Sequence, residues 1–128
     1  MTKYKKYKNF KGNLNDLISI IKESLIDLNL YDASLKYDRL IRYYIQEELL
    51  PRPFREGKEF FYDYSHLVRF LYARKQIKDG WPINKLKETT KYEKEEFFEE
   101  FLYPNNTSMG LISEFKQKSS PSRSDKVL

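Results

Sequence analysis

The chain has 128 residues, with apolar side chains enough for one hydrophobic core but hardly for two, and 24 Lys plus Arg against 19 Asp plus Glu give it a formal net charge of +5. That excess of cations, with a pI of about 9.2, favours polyanionic partners. The lack of cysteine excludes a disulfide framework, a thiolate metal site, a cysteine nucleophile and thiol-based redox sensing, and no apolar run approaches the roughly 18 to 20 residues of a membrane span.

Residues 1–12 read as a basic N-terminal arm. Lys3, Lys5, Lys6, Lys8 and Lys11 carry positive charge with Tyr4, Tyr7 and Phe10 between them and no acid. Such a composition suits a solvated terminus and an arm that touches phosphates equally well. Charge and aromatics stand where a secretory signal needs an apolar stretch, so a cytoplasmic address is expected.

A single domain is expected over 13–103. Asn13 is placed to cap a first helix, Asp16 suits its first turn, and Leu14, Leu17, Ile18, Ile21, Leu25 and Leu28 follow the i, i+3, i+4, i+7 rhythm of a buried stripe, leaving Ser19, Lys22, Glu23 and Asp27 to water. After a polar stretch, Asp38 is a candidate N-cap for a second helix of about ten residues, ended by Pro51 and Pro53. Arg55 to Glu59 forms a tight turn between Pro53-Phe54 and Phe60-Phe61-Tyr62, which predicts a short β-hairpin.

A third helix is predicted over 64–78, with Leu67, Phe70, Leu71 and Ile77 on its apolar face and Gly80 as the left-handed residue that closes it. Pro82 opens a short fourth helix over 83–89 with Ile83 and Leu86 inward, and Trp81 is assigned to the core. The last helix, over 91–102, is acidic and sets Phe97, Phe98, Phe101 and Leu102 on one side, as a face for dimerisation, for a docked partner, or for packing on the first helix, the last being preferred. Residues 104–128 read as a flexible tail, Met109 to Phe115 excepted.

The second helix carries the functional signal. Arg39, Arg42, Tyr43 and Gln46 stand at i, i+3, i+4 and i+7, opposite Ile41, Tyr44, Ile45 and Leu49. A helix held by its apolar flank would thus offer Arg to guanine acceptors or phosphate, Gln to adenine and Tyr to phosphate. Lys36 and Tyr37 at the helix entrance, with Arg55 and Lys58 at the hairpin turn, complete the expected contacts to double-stranded DNA.

The run Arg39-Leu40-Ile41-Arg42-Tyr43-Tyr44, followed by Glu48-Leu49-Leu50-Pro51, Tyr62, Leu67, Gly80-Trp81-Pro82-Ile83 and Leu86, resembles the MerR-family pattern of Thr-Ile-Arg-Tyr-Tyr, Gly-Leu-Leu-Pro, wing, Tyr and two further helices. The likeness spans residues 38–89. It implies a mainly α winged helix-turn-helix fold with a β-hairpin wing, DNA contacts from Arg42 and Tyr43, and an inward Tyr44. Two departures stand out: Glu48 replaces the usual Gly, and Phe60 stands where the wing usually carries Arg, so a wing contact falls to Lys58 or Arg55. The long pairing helix and effector domain of the family have no counterpart beyond Thr89.

The resemblance implies a bacterial, nucleoid-associated transcription regulator. A repressor acting by occlusion is expected, as a homodimer, without cofactor, metal or evident small-molecule effector. Regulators of this stripped-down kind resemble those accompanying mobile elements, CRISPR-associated transposons included. Alternatives are a protein-interaction adaptor using the Phe97 to Leu102 face and an architectural or excisionase-like DNA-binding factor. His66, the single histidine, is expected to be structural or capping, and the glutamates at 93, 95, 96, 99 and 100 to be solvated. Isolated Gly12, Gly57, Gly80 and Gly110 form no phosphate loop or nucleophile elbow, and no enzyme is expected. Single-strand binding through base stacking is disfavoured because most Tyr and Phe fall at helical core positions.

Overall fold

A computed structural model describes residues 6–104. Residues 105–128, with the Met109 to Phe115 segment, and Lys3, Tyr4 and Lys5 of the basic arm lie outside the described residues. The fold is mainly helical with one small three-stranded antiparallel sheet.

Strand β1 (Lys11–Gly12) runs directly into helix α1 (Leu14–Asp27) through a capping box. The Asn13 side chain accepts the Asp16 N–H at 2.9 Å and the Asp16 carboxylate accepts the Asn13 N–H at 3.0 Å, an arrangement contributing about 1 kcal/mol. Gly12 is forced by this closeness: a Cβ there would lie 2.7 Å from the Asp16 carboxylate and 2.9 Å from the Phe10 ring. Leu17, Ile21 and Leu25 form the buried stripe, and Asn29 in the left-handed region reverses the chain so that the Leu30 N–H returns to the Leu25 carbonyl. Lys11 and Gly12, expected within a mobile arm, are instead part of the sheet.

Helix α2 (Tyr37–Gln46) starts one residue earlier than its supposed cap. Lys36 holds the cap position with extended backbone and no side-chain bond, while Asp38 lies in the first turn, where a carboxylate still opposes the helix dipole. The prolines do not end α2. Glu48 does, at φ +67°, and the Leu49 N–H closes on the Tyr44 carbonyl at 2.8 Å. Glu48 therefore adopts the left-handed conformation that glycine takes without cost, at a strain of about 1 kcal/mol.

Strands β2 (Phe54–Glu56) and β3 (Glu59–Asp63) form the predicted hairpin, with Gly57 at φ +65° as the first loop residue, and β3 pairs on its other side with β1. Asp63 then caps α3 (Tyr64–Lys78), which is buried on nearly every side from His66 to Ala73 rather than along one face. His66 is structural, as expected. Its Nδ1 accepts the Asp63 N–H at 3.0 Å, so the proton resides on Nε2, which donates to the Pro51 carbonyl at 3.1 Å. Gly80 closes the helix at φ +103°, and Trp81 packs half-buried against the core.

A 3-10 turn (Ile83–Lys85), helix α4 (Lys87–Tyr92) and helix α5 (Glu95–Leu102) follow, so the break falls at Glu93-Lys94 rather than between the segments 83–89 and 91–102. Arg69 on α3 accounts for it. Its guanidinium donates to the carbonyls of Thr90 (2.9 Å) and Glu93 (2.8 Å), to the Glu95 carboxylate (2.9 Å) and to Ser65 Oγ (2.7 Å), and lies 4.9 Å over the Phe98 ring. The carbonyls at the end of α4 are thereby satisfied by a side chain instead of by a further helical turn.

Replacing Arg69 by Leu strands these acceptors against an apolar side chain. The free energy of unfolding in urea should fall by about 3 kcal/mol, and Arg69→Lys should recover little of it because an ammonium lacks the planar fork. Burial raises the Glu95 carboxyl, but the bonds from Arg69 and Ser65 outweigh it and hold the group below its ordinary 4.5. The part of that stability carried by Glu95 should be present above pH 4.5 and disappear as pH falls through the lowered value, while the part carried by the Thr90 and Glu93 carbonyls should persist.

Candidate nucleic-acid interface

Helix α2 is divided into two flanks by its packing. Tyr37, Ile41 and Tyr44 are buried, Tyr37 and Tyr44 with ring centroids 6.1 and 5.3 Å from Phe70 of α3. Arg74 donates to the Tyr44 hydroxyl at 3.2 Å, so the phenol is satisfied although burial pushes its pKa up. With that flank fixed, the 3.6-residue period turns Lys36, Arg39, Arg42, Tyr43 and Gln46 outward, and all five are exposed. The Arg42 side chain is 65 % exposed, and its one ion pair among the described residues is with Asp38, at 3.7 Å. So loose and solvated a pair is readily exchanged for a phosphate or a base edge.

Tyr37 does not belong to this surface. Expected as a DNA contact, it is only 3 % exposed. Its hydroxyl accepts the Asp32 N–H and donates to the Asp32 carbonyl, both at 3.1 Å, and its ring stacks on Tyr31 at 6.0 Å. Tyr37 thus fastens the turn between α1 and α2. A tyrosine whose hydroxyl can close a loop five residues upstream loses less by facing inward than the isolated helix stripe suggested.

Burial pushes the Tyr62 phenol on β3 up while the positive charge of Arg42 draws it down, so Arg42 lies within electrostatic reach of the base of the hairpin. Strand alternation and register then sort the hairpin side chains. Tyr62, Phe60 and Arg55 share one face, with Tyr62 buried and the Arg55 guanidinium 5.6 Å over the exposed Phe60 ring. Phe54, Glu56, Glu59, Phe61 and Asp63 share the other, where Lys11 binds Glu56 at 2.6 Å and covers Phe61 at 5.1 Å. The hairpin's acids therefore lie on the face away from Arg55, and Lys58 stands exposed in the turn.

Two features escaped the sequence reading. Arg52 is exposed in the linker from α2 to β2, between two prolines whose rigidity could have drawn attention to it. A groove of about 450 Å³ opens at the hairpin between Lys8, Phe10, Lys11, Phe54, Arg55, Glu56 and Asp63, where Lys8 and Lys11 are paired with the carboxylates of Glu99 and Glu56.

The phenylalanine face expected to dimerise or dock is largely consumed by the core, and by α3 rather than by the preferred α1. Phe98 is fully buried, Leu102 nearly so, Phe101 half-buried, and only Phe97 keeps appreciable exposure. The Tyr72 ring gathers Phe97, Phe98 and Phe101 at 5.9, 5.0 and 4.9 Å. Two of the glutamates expected in solvent are instead bound within the fold, Glu95 part-exposed and Glu99 buried. Glu95 binds Arg69, and Glu99 receives the Tyr64 hydroxyl at 2.7 Å and Lys8 at 2.5 Å.

Among the described residues, no group of three or more His, Asp or Glu is placed to hold a metal ion, and no helix is long and apolar enough to cross a membrane. Comparison with protein-family models, curated proteins and solved structures finds no match to the chain.

The two flanks of α2 should separate by stability. Tyr37→Phe removes the hydroxyl that satisfies both Asp32 backbone groups and should lower the unfolding free energy by about 1 to 2 kcal/mol. Arg42→Ala, on the outer flank, should leave it within about 0.5 kcal/mol of the parent, both measured by chemical denaturation.

Proposed function

We propose that the protein is a winged helix-turn-helix regulator of the MerR-like kind that binds double-stranded DNA in a sequence-specific manner. One observation supports this reading above the others: the outer flank of α2 exposes Arg39, Arg42, Tyr43 and Gln46 together, with Arg42 near enough to Tyr62 at the base of the hairpin to act on its phenol. A major groove about 12 Å wide accepts a helix of this diameter. Arg and Gln supply bidentate geometries for guanine and adenine, and Tyr43 and Lys36 reach phosphate. The hairpin then lies along the neighbouring backbone, with Lys58 at its tip.

The regulatory outcome proposed is repression. A domain seated on promoter DNA excludes other proteins by occupancy, with no cofactor or chemical step. A homodimer would set two such helices on half-sites one turn apart, about 34 Å. An adaptor acting through α5 has less support, because Phe98 and Leu102 are already inside.

Binding to the DNA upstream of the protein's own coding sequence, with random duplex in competition, tests the reading. Specific retention is expected, and equal affinity for both duplexes would reduce the protein to a merely basic one. Arg42→Ala should weaken specific binding by about 1 to 3 kcal/mol. Lys58→Ala should weaken all duplexes alike and lower the slope of log affinity against log salt by about one.

A further inference from the structure

Phe60 is one of two exposed phenylalanines on the hairpin, with Phe54, and the one nearer its tip on β3. It lies 49 % exposed on the free part of β3, two residues beyond Tyr62, where the buried part of that face ends. At about 3.3 Å per strand residue it stands roughly 7 Å out from the body of the domain, on the way to the hairpin tip. Its directly paired neighbour on β2 is Arg55. The Arg55 Nε donates to the Gly57 carbonyl at 2.9 Å and its guanidinium carbon lies 5.6 Å over the Phe60 ring, which leaves the two terminal nitrogens uncommitted to that bond. The hairpin carboxylates Glu56 and Glu59 occupy the opposite face.

An exposed ring at the end of a rigid two-stranded arm, flanked by a cation and shielded from the arm's own acids, matches what a duplex demands of a wedge. Proteins that enter the minor groove place Arg or Lys on its acceptor edges and push an apolar side chain between two base pairs, unstacking the step and kinking the helix. The cross-strand pairing with Arg55 holds the ring on the open end of the hairpin rather than in the core.

We infer that Phe60 is a minor-groove wedge: with α2 in the major groove, the hairpin crosses one phosphate backbone and partly intercalates Phe60 at an adjacent step, while Arg55 binds the groove edge or its phosphate. The inference rests on the DNA-binding reading above and adds to it a deformation of the duplex and a preference for easily unstacked pyrimidine–purine steps. Stacking on the ring and unstacking of the bases nearly offset each other, so the wedge affects the shape of the DNA far more than the affinity.

The test uses the full chain and an alternating dA-dT duplex of about 30 base pairs, with 2-aminopurine replacing single adenines and a donor–acceptor dye pair at the ends. The parent protein should raise the 2-aminopurine fluorescence and shorten the end-to-end distance. Phe60→Ala, folded by circular dichroism, should bind within about threefold of the parent yet abolish the fluorescence rise and leave the duplex straight. Phe60→Trp should retain both signals. Binding by the parent without unstacking, or unstacking by Phe60→Ala equal to the parent's, overturns the wedge and leaves the DNA-binding reading standing. Failure of the parent to bind the duplex at low salt overturns both.

Discussion

The arrangement depends on how α2 is gripped. Tyr37 and Tyr44 lock one flank onto Phe70 of α3, with Ile41 buried beside them, and each tyrosine adds a polar fastening, Tyr37 to the Asp32 backbone and Tyr44 to Arg74. A helix held only by aliphatic contacts can roll by a fraction of a turn at small cost. One whose buried phenols must meet fixed partners cannot, because rolling would leave those hydroxyls desolvated and unpaired. The orientation of Arg39, Arg42, Tyr43 and Gln46 therefore follows from buried chemistry on the opposite side of the helix.

The rest of the fold keeps that grip in place. Helix α3 is buried on nearly all sides because α1, the sheet and α5 surround it, and Arg69 draws the C-terminal helices against it through main-chain carbonyls. Glu99 ties the same assembly to the N-terminal segment through Lys8 and Tyr64. Such pinned polar groups add less net stability than apolar packing of equal volume, and their contribution here is to fix where short helices begin and end. His66 does likewise for the hairpin, joining the Pro51 carbonyl to the first turn of α3.

Much of this was legible in the sequence where local chemistry agrees with tertiary packing. The Asn13 cap, the hairpin around Gly57, the bounds of α3 and the structural role of His66 each follow from a motif and a period that point the same way. Errors arose where a distant partner decided. Tyr37 looked like the start of the exposed stripe until its hydroxyl met Asp32. The Phe97 to Leu102 face looked unpartnered because nothing in its own segment reveals that Tyr72 lies across from it. The strand at Lys11–Gly12 has no periodicity to read at two residues, and Arg69 showed no sign in the sequence of satisfying carbonyls at Thr90 and Glu93.

The proposed interface thus joins an outward basic flank that α2 owes to its buried tyrosines and a hairpin whose acids are turned away. Its central claim is one of location, and amide chemical-shift mapping during titration with duplex DNA tests it most directly. The account predicts that the shifted amides cluster on the outer flank of α2 and along the hairpin from Arg55 to Phe60, leaving α4 and α5 unchanged. Shifts concentrated on α5, or none on α2 at saturation, would contradict it.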